Sequence, residues 1–219
     1  KILKDKSIKG VNKSNIRQMK KLYELFYKGK NVCVKTNIGT KLYLDISSRK
    51  PNFCPGFVEN SGDLGSPPDM EVNVSPRESK TAGIIVVDGS ITHPQLGLLK
   101  QSVKLEINKG LISNISKNQE GKIFDKILTS TKNKKSRVLA ELGVGFNKKA
   151  KLTGMMLTDE GSAGNIHFGF GSNYTVGGKN KVSFHIDVVV KKPFMEIDGK
   201  KVIENGKIIL WITLHFLKN

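Results

Sequence analysis

Apolar and polar positions along this chain recur in two different periods, and the change of period marks its elements. Over NKSNIRQMKKLYELFYKGK, Ile16, Met19, Tyr23 and Phe26 fall at helical spacing, with Ser14 placed to cap and Gly29 placed to stop. One amphipathic helix packed against a sheet is the expectation. Beyond it the period drops to two. NVCVKT and KLYLDIS, joined through Asn37-Ile38-Gly39-Thr40, predict a hairpin, and AGIIVVDGSI predicts a strand. VKLEIN and LISNIS flank Lys109-Gly110 as a second hairpin, and PFMEIDGKKVIENGKII reads as strand, Asp-Gly turn and strand. KIFDKILTST predicts a short helix and RVLAELGVGF a strand. The segment SSRKPNFCPGFVENSGDLGSPP, residues 47–68, has no period and is expected to be a long loop. The end, ILWITLHFL, is expected as a docking helix or strand.

One helix followed mostly by strands, with few helical crossovers, predicts a β-rich α+β fold and argues against a doubly wound parallel sheet. The organisation expected is residues 1–30 as amphipathic helix and linker, then residues 31–219 as one β-rich metal-binding domain. GFGFGSN has neither the lysine nor the following helix of a phosphate loop, and VGGKN reads as a turn.

Chemistry-bearing residues interrupt three of the strand patterns. In KVSFHIDVVV, Val182, Phe184, Ile186 and Val188 share one face, while His185 and Asp187 share the other. An imidazole and a carboxylate on one rigid face suit a metal; a mutually satisfied surface pair is the plainer alternative. In DEGSAGNIHFGFGSNY, His167 opposes Ile166 and Phe168, and Asp159, Glu160 and Tyr174 lie close in sequence. In RVLAELGVGF, Glu141 breaks an apolar run, and a buried carboxylate needs a cation or a lysine as partner. His93 and His215 have no neighbouring carboxylate, and no serine sits in a nucleophile-elbow turn.

Composition narrows the classes. The chain has 219 residues, 37% hydrophobic and 26% charged, enough for a sizeable core. Cys33 and Cys54 fit neither a disulfide scaffold nor a zinc ribbon, so free thiols in a reducing, cytoplasmic setting are expected. No apolar run reaches the roughly 20 residues of a membrane span. The net charge of +18 attracts polyanions. It is made almost wholly of scattered lysine, with arginine only at Arg17, Arg49, Arg77 and Arg137, and no nucleic-acid-binding motif accompanies it. Nucleic acid is therefore not the expected partner.

Taken in order, AELGVGFN, LTDEGSAGNIHFGFGSNY, GGKN and HIDVVV resemble the metal-binding half of the aminopeptidase T family, the thermophilic metallo-aminopeptidases. GTKLYLDISSRKP and MEVNVSPRESKTAGIIVVDGSI resemble its upstream segments, although Ser66-Pro67-Pro68 departs from the family's usual Asn-Leu-Pro. The family's amino-terminal α/β domain has no counterpart in this chain. By resemblance, Glu71, Glu141, His167, His185 and Asp187 hold two divalent ions, of zinc, cobalt or manganese. Tyr174 stabilises an oxyanion, and Glu141 or Glu160 moves the proton. The implied activity is removal of an amino-terminal, leucine-like residue from a peptide by a homodimer. Two alternatives stand beside it. The same fold family includes an iron-dependent dioxygenase that opens dihydroxypyridine rings, for which His167, His185 and Asp187 would be the iron ligands. The other is a non-catalytic basic binding protein. The additional carboxylates Glu71 and Glu141 favour the hydrolase.

Overall fold

The computed structural model describes residues 6–210, so the expectation for ILWITLHFL concerns residues that are mostly outside it. Helix α1 spans Ile16–Lys28 and buries Met19, Leu22 and Phe26 completely. Its N-cap is Asn15 rather than Ser14, because a 3-10 turn, Lys13–Asn15, precedes it. Ser14 belongs to that turn and donates its N–H to Asn12 Oδ1 at 2.9 Å. Gly29 closes the helix as expected. A Cβ there would come within 2.6 Å of the Leu25 carbonyl and 2.7 Å of Ile197, so the chain exits against the sheet only because the side chain is missing.

The strands are β1 (Asn31–Lys35), β2 (Lys41–Asp45), β3 (Asn52–Cys54), β4 (Glu71–Val74), β5 (Ala82–Val87), β6 (Ser90–Ile91), β7 (Gly97–Leu98), β8 (Val103–Asn108) and β9 (Leu111–Ile115). Helix α2 (Gln119–Ser130) follows, capped by Asn118, whose Oδ1 accepts the Gly121 N–H at 2.9 Å. Then come β10 (Leu139–Gly145), the single turn α3 (Met156–Asp159), β11 (Asn165–Gly171), β12 (His185–Lys191), β13 (Phe194–Ile197), β14 (Lys200–Glu204) and β15 (Lys207–Ile208). They form two antiparallel sheets, ordered β15-β14-β13-β1-β2-β5-β8-β9 and β3-β4-β10-β11-β12-β6-β7. This is the β-rich α+β architecture expected from the pattern. The hairpin turns carry the positive φ angles that Lys109-Gly110 and Asp198-Gly199 predict, 48° and 74°, then 47° and 74°.

Two expectations are corrected. The aperiodic segment 47–68 contains β3, a three-residue edge strand that pairs with β4 and is too short to register as a period. KVSFHIDVVV becomes strand only at His185; Val182 and Phe184 belong to the preceding loop, half-buried rather than in the core.

One apolar cluster joins α1 to both sheets, running from Met19, Leu22 and Phe26 through Val32 and Leu42 to Val72, Leu142, Phe168 and Val188. Burial of these side chains fixes the register of the second sheet, because a one-residue slip would turn its polar face into the core. Among the described residues no helix is long and apolar enough to cross a membrane. Phe26→Ala is expected to cost about 3–5 kcal/mol in denaturant unfolding; a loss below about 1 kcal/mol would contradict the packing described for α1.

Candidate metal centre

The second sheet is apolar on one face and ionisable on the other. Along β4, β10, β11 and β12 the second face carries Glu71, Asn73, Glu141, His167, His185 and Asp187, and nearly all of them are buried. The strand register places a glycine opposite each ionisable one. Glu71 faces Gly145, Glu141 and Asp187 both face Gly169, His167 faces Gly143, and His185 faces Gly171. A Cβ on Gly143 would lie 2.1 Å from the His167 ring, and one on Gly169 would lie 2.7 Å from the His185 ring and 2.9 Å from Glu141 Cβ. Glycine thus makes the room in which large polar side chains lie over the sheet. The signal for this floor lies in the sequence as E-x-G-x-G and H-x-G-x-G, with glycine at every second position.

The side chains converge in two overlapping groups, Glu71 with Glu141 and His167, and Glu141 with His185 and Asp187. His167 Nε2 is 3.0 Å from Glu71 Oε2 and 3.8 Å from Glu141 Oε1. His185 Nε2 is 3.1 Å from Asp187 Oδ1 and 3.5 Å from Glu141 Oε2. His185 Nδ1 donates to the Ser172 carbonyl at 2.8 Å, which turns Nε2 toward the carboxylates, the orientation a ligating imidazole needs. Asp187 is held through its backbone: its N–H donates to Thr92 Oγ1 at 3.0 Å. Asn73 Nδ2 donates to Glu71 Oε1 at 2.5 Å.

Several buried atoms here lack a partner. Among the described residues, Glu71 Oε2, Asp187 Oδ2 and both ring nitrogens of His167 make no aligned hydrogen bond, although His167 Nε2 and Glu71 Oε2 are close. Buried polar groups are nearly always satisfied, so convergent orphans of this kind fit a cation. The donor set of imidazole nitrogen and carboxylate oxygen suits a divalent transition metal.

Without a cation the carboxyls crowd one another. Burial, with Asp187 and Glu71 nearby, pushes Glu160 up to about 11. Burial raises Glu141 too, against the pull of His167. Burial opposes charge on both imidazoles, yet the carboxylates win: Glu71 beside it holds His167 well above the usual imidazole range, and the Asp187 hydrogen bond brings His185 to about 9. Asp187 is correspondingly low despite its burial, because His185 stabilises its charge.

The other candidates fall elsewhere. Asp159 accepts from Ser90 Oγ at 2.5 Å, Thr153 N at 2.7 Å and Gly154 N at 2.9 Å, and so closes a turn. Tyr174 is 62% exposed on a 3-10 turn, with Lys181 Nζ 5.1 Å from its ring centroid, and does not meet the carboxylates. Its side chain is not placed for the oxyanion role that the resemblance implied. The His93 ring accepts the Gln95 N–H, at 3.2 Å, and meets none of these carboxylates in the groups described. Sequence reasoning missed Cys54 and Asp69, which form a third group with Glu71.

A two-sheet α+β domain with buried imidazoles and carboxylates on a glycine floor defines a metalloprotein-type centre. The chain belongs to the family described as 2,5-dihydroxypyridine 5,6-dioxygenase (NicX), whose family model matches residues 10–210. It is 23% identical over 195 residues to a curated 2,5-dihydroxypyridine 5,6-dioxygenase of Pseudomonas putida, a match covering 84% of this chain and 56% of that protein. The chain therefore spans little more than half of that relative's length. In fold it is similar to the solved 2,5-dihydroxypyridine dioxygenase of Pseudomonas putida, with a TM-score of 0.84 and 20% identity over 93% of this chain and 62% of that one. It is also similar to AmpT from Thermus thermophilus, with a TM-score of 0.71 and 16% identity over 88% and 53% of the two chains.

These findings overturn the aminopeptidase reading, and with it the hydrolase class and the peptide substrate, because the family matched is that of a dioxygenase. The likeness to AmpT explains why AELG, NIHFGFG and HID read as they did. They mark strands of a shared fold, and a shared fold carries more than one chemistry. A pair of zinc, cobalt or manganese ions likewise finds no support in the family.

Two outcomes follow from the site. Metal binding must displace protons from His185 and its neighbours, so apparent affinity for ferrous or cobalt ion should rise as pH approaches about 9, by about tenfold per unit for each proton released. Competition against a chromophoric chelator measures this, and a pH-independent affinity would contradict it. Gly143→Ala should displace the His167 ring and lower metal affinity by at least about tenfold; unchanged affinity would remove the glycine floor from the account.

Proposed function

We propose that this chain is the metal-bearing part of a ring-opening dioxygenase that holds one ferrous ion and acts on a small dihydroxylated pyridine. The observation that carries the reading is the convergence of His185 and Asp187, with His167 on the adjacent strand, inside a chain of this family. Two imidazoles and one carboxylate are the ligand set of non-haem iron oxygenases, which leaves other positions open.

Bound there, ferrous iron would supply the redox chemistry that dioxygen needs to react with an electron-rich ring. The remaining tasks fall to the chain. Ser172 and Thr92 fix His185 and the Asp187 backbone, so two of the ligands are oriented before any ion arrives. Glu141, beside both imidazoles, is a group that can accept a proton from a ring hydroxyl, and Glu160, beside Asp187 and pushed up to about 11, is one that holds a proton to give. A cavity of ≈ 330 Å³ opens onto Glu141 and His185, walled by Ser172, Thr175, Val176, Val182 and Phe184. Apolar walls with a few hydroxyls suit a small hydroxylated aromatic ring. Val182 and Phe184 serve there as wall, and Phe184 also packs against the edge of the core.

The test is dioxygen uptake by the chain loaded anaerobically with ferrous iron, on adding 2,5-dihydroxypyridine. Stoichiometric uptake with loss of the ring's near-ultraviolet absorbance is expected, and His185→Ala and Asp187→Ala should lower the rate by at least about a hundredfold, as expected for loss of a ligand rather than of its outer support. Iron-loaded protein that consumes no dioxygen with any dihydroxypyridine isomer would overturn the reading.

A further inference from the structure

Beyond the histidine ligands the acidic face continues toward the sheet edge. Cys54 on β3 pairs directly with Glu71 on β4, and Asp69 lies two residues before Glu71. Antiparallel partners project to the same side of a sheet, so the edge strand brings its thiol beside the Glu71 carboxylate. A ligand atom from each of Cys54, Asp69 and Glu71 lies within 4.8 Å of the other two. Asp69 and Glu71 are 3% and 5% exposed, and among the described residues Asp69 Oδ1 has no hydrogen-bond partner, while Glu71 Oε2 faces His167 Nε2 at 3.0 Å. Among the described residues the only hydrogen bond of the Asp69 carboxylate, from Ser66 Oγ to Oδ2, is long at 3.5 Å.

Charge points the same way. Among the described residues, the ion pairs of Glu71, Glu141 and Asp187 are with His167 and His185, and none joins Asp69 or Glu71 to a lysine or arginine. The Cys54 end gathers two carboxyls and a thiol, and among the described residues no lysine or arginine pairs with them.

We propose that Cys54, Asp69 and Glu71 form a second cation site, for a borderline divalent ion of the zinc class, which adjoins the histidine centre through Glu71 and uses neither His185 nor Asp187. A thiolate sulfur with carboxylate oxygens is a donor set that zinc and cobalt accept, and three protein ligands leave a position for water. Such an ion would tie the edge strand β3 to β4. Cys33, on β1 in the other sheet, belongs to no such group among the described residues.

The site has a signature that the histidine centre lacks. Cobalt bound by a thiolate gives a strong near-ultraviolet charge-transfer absorption, whereas cobalt held by nitrogen and oxygen alone does not. Metal-free full chain is titrated with cobalt in wild type, Cys54→Ser, Cys33→Ser, Asp69→Asn and His185→Ala. The expected result is a thiolate band in wild type, in Cys33→Ser and in His185→Ala, lost in Cys54→Ser, with affinity in Asp69→Asn lower by at least the roughly tenfold that removal of even an outer partner costs. A band that survives Cys54→Ser overturns the proposal. So does saturation with cobalt without any thiolate band; cobalt absorption lost in His185→Ala would then still leave the dioxygenase centre standing. Alkylation of wild-type protein tests the same point without a variant: zinc should slow modification of Cys54 at least tenfold and leave Cys33 unchanged, and equal rates at Cys54 with and without zinc overturn the site.

Discussion

A sheet face that buries carboxylates must find them countercharge, and the second sheet buries Glu71, Glu141 and Asp187 on one face without a lysine or arginine in any of their ion pairs among the described residues. Removing a charge from water costs several kcal/mol even after relaxation, and imidazoles recover part of that only by taking up protons. The structure answers by bringing strands close enough for the groups to share charge, which requires glycine at the facing positions. The fold around this face is otherwise unremarkable. Its apolar side, with α1 and the first sheet, supplies the stability against which the polar side is held.

Much of this could be read from alternation alone. His185 and Asp187 had to share a face once the strand was recognised, and Glu141 had to find a partner once it interrupted an apolar run. The parts that could not be read are those made by pairing distant segments. Cys54 joins Glu71 only through a three-residue strand inside an aperiodic stretch, and Asp69 gains its meaning only from the position of Glu71. Ser14 misled because a 3-10 turn shifts the helix start by one residue beyond it, and nothing in the local pattern distinguishes the two.

The functional reading failed for a different reason. Motifs around Glu141, His167 and His185 are set by the geometry of the sheet, so they follow the fold and not the reaction. Tyr174 illustrates the point: it stands in the expected sequence position, yet the turn that carries it presents the ring to solvent beside Lys181. By resemblance alone, Glu71 and Glu141 point to a second hydrolytic ion. Their geometry is equally that of neighbours that would balance and position the ligands of the single ion proposed, beside the further site proposed at the sheet edge.

The central claim is that the glycine-floored face binds a metal through both imidazoles. X-ray absorption at the iron edge, on chain loaded with one equivalent of ferrous ion under anaerobic conditions, tests it most directly. The account predicts an inner shell of nitrogen and oxygen with the multiple-scattering pattern of two imidazoles, falling to one in His185→Ala. An oxygen-only shell, or a pattern unchanged by that substitution, would contradict it.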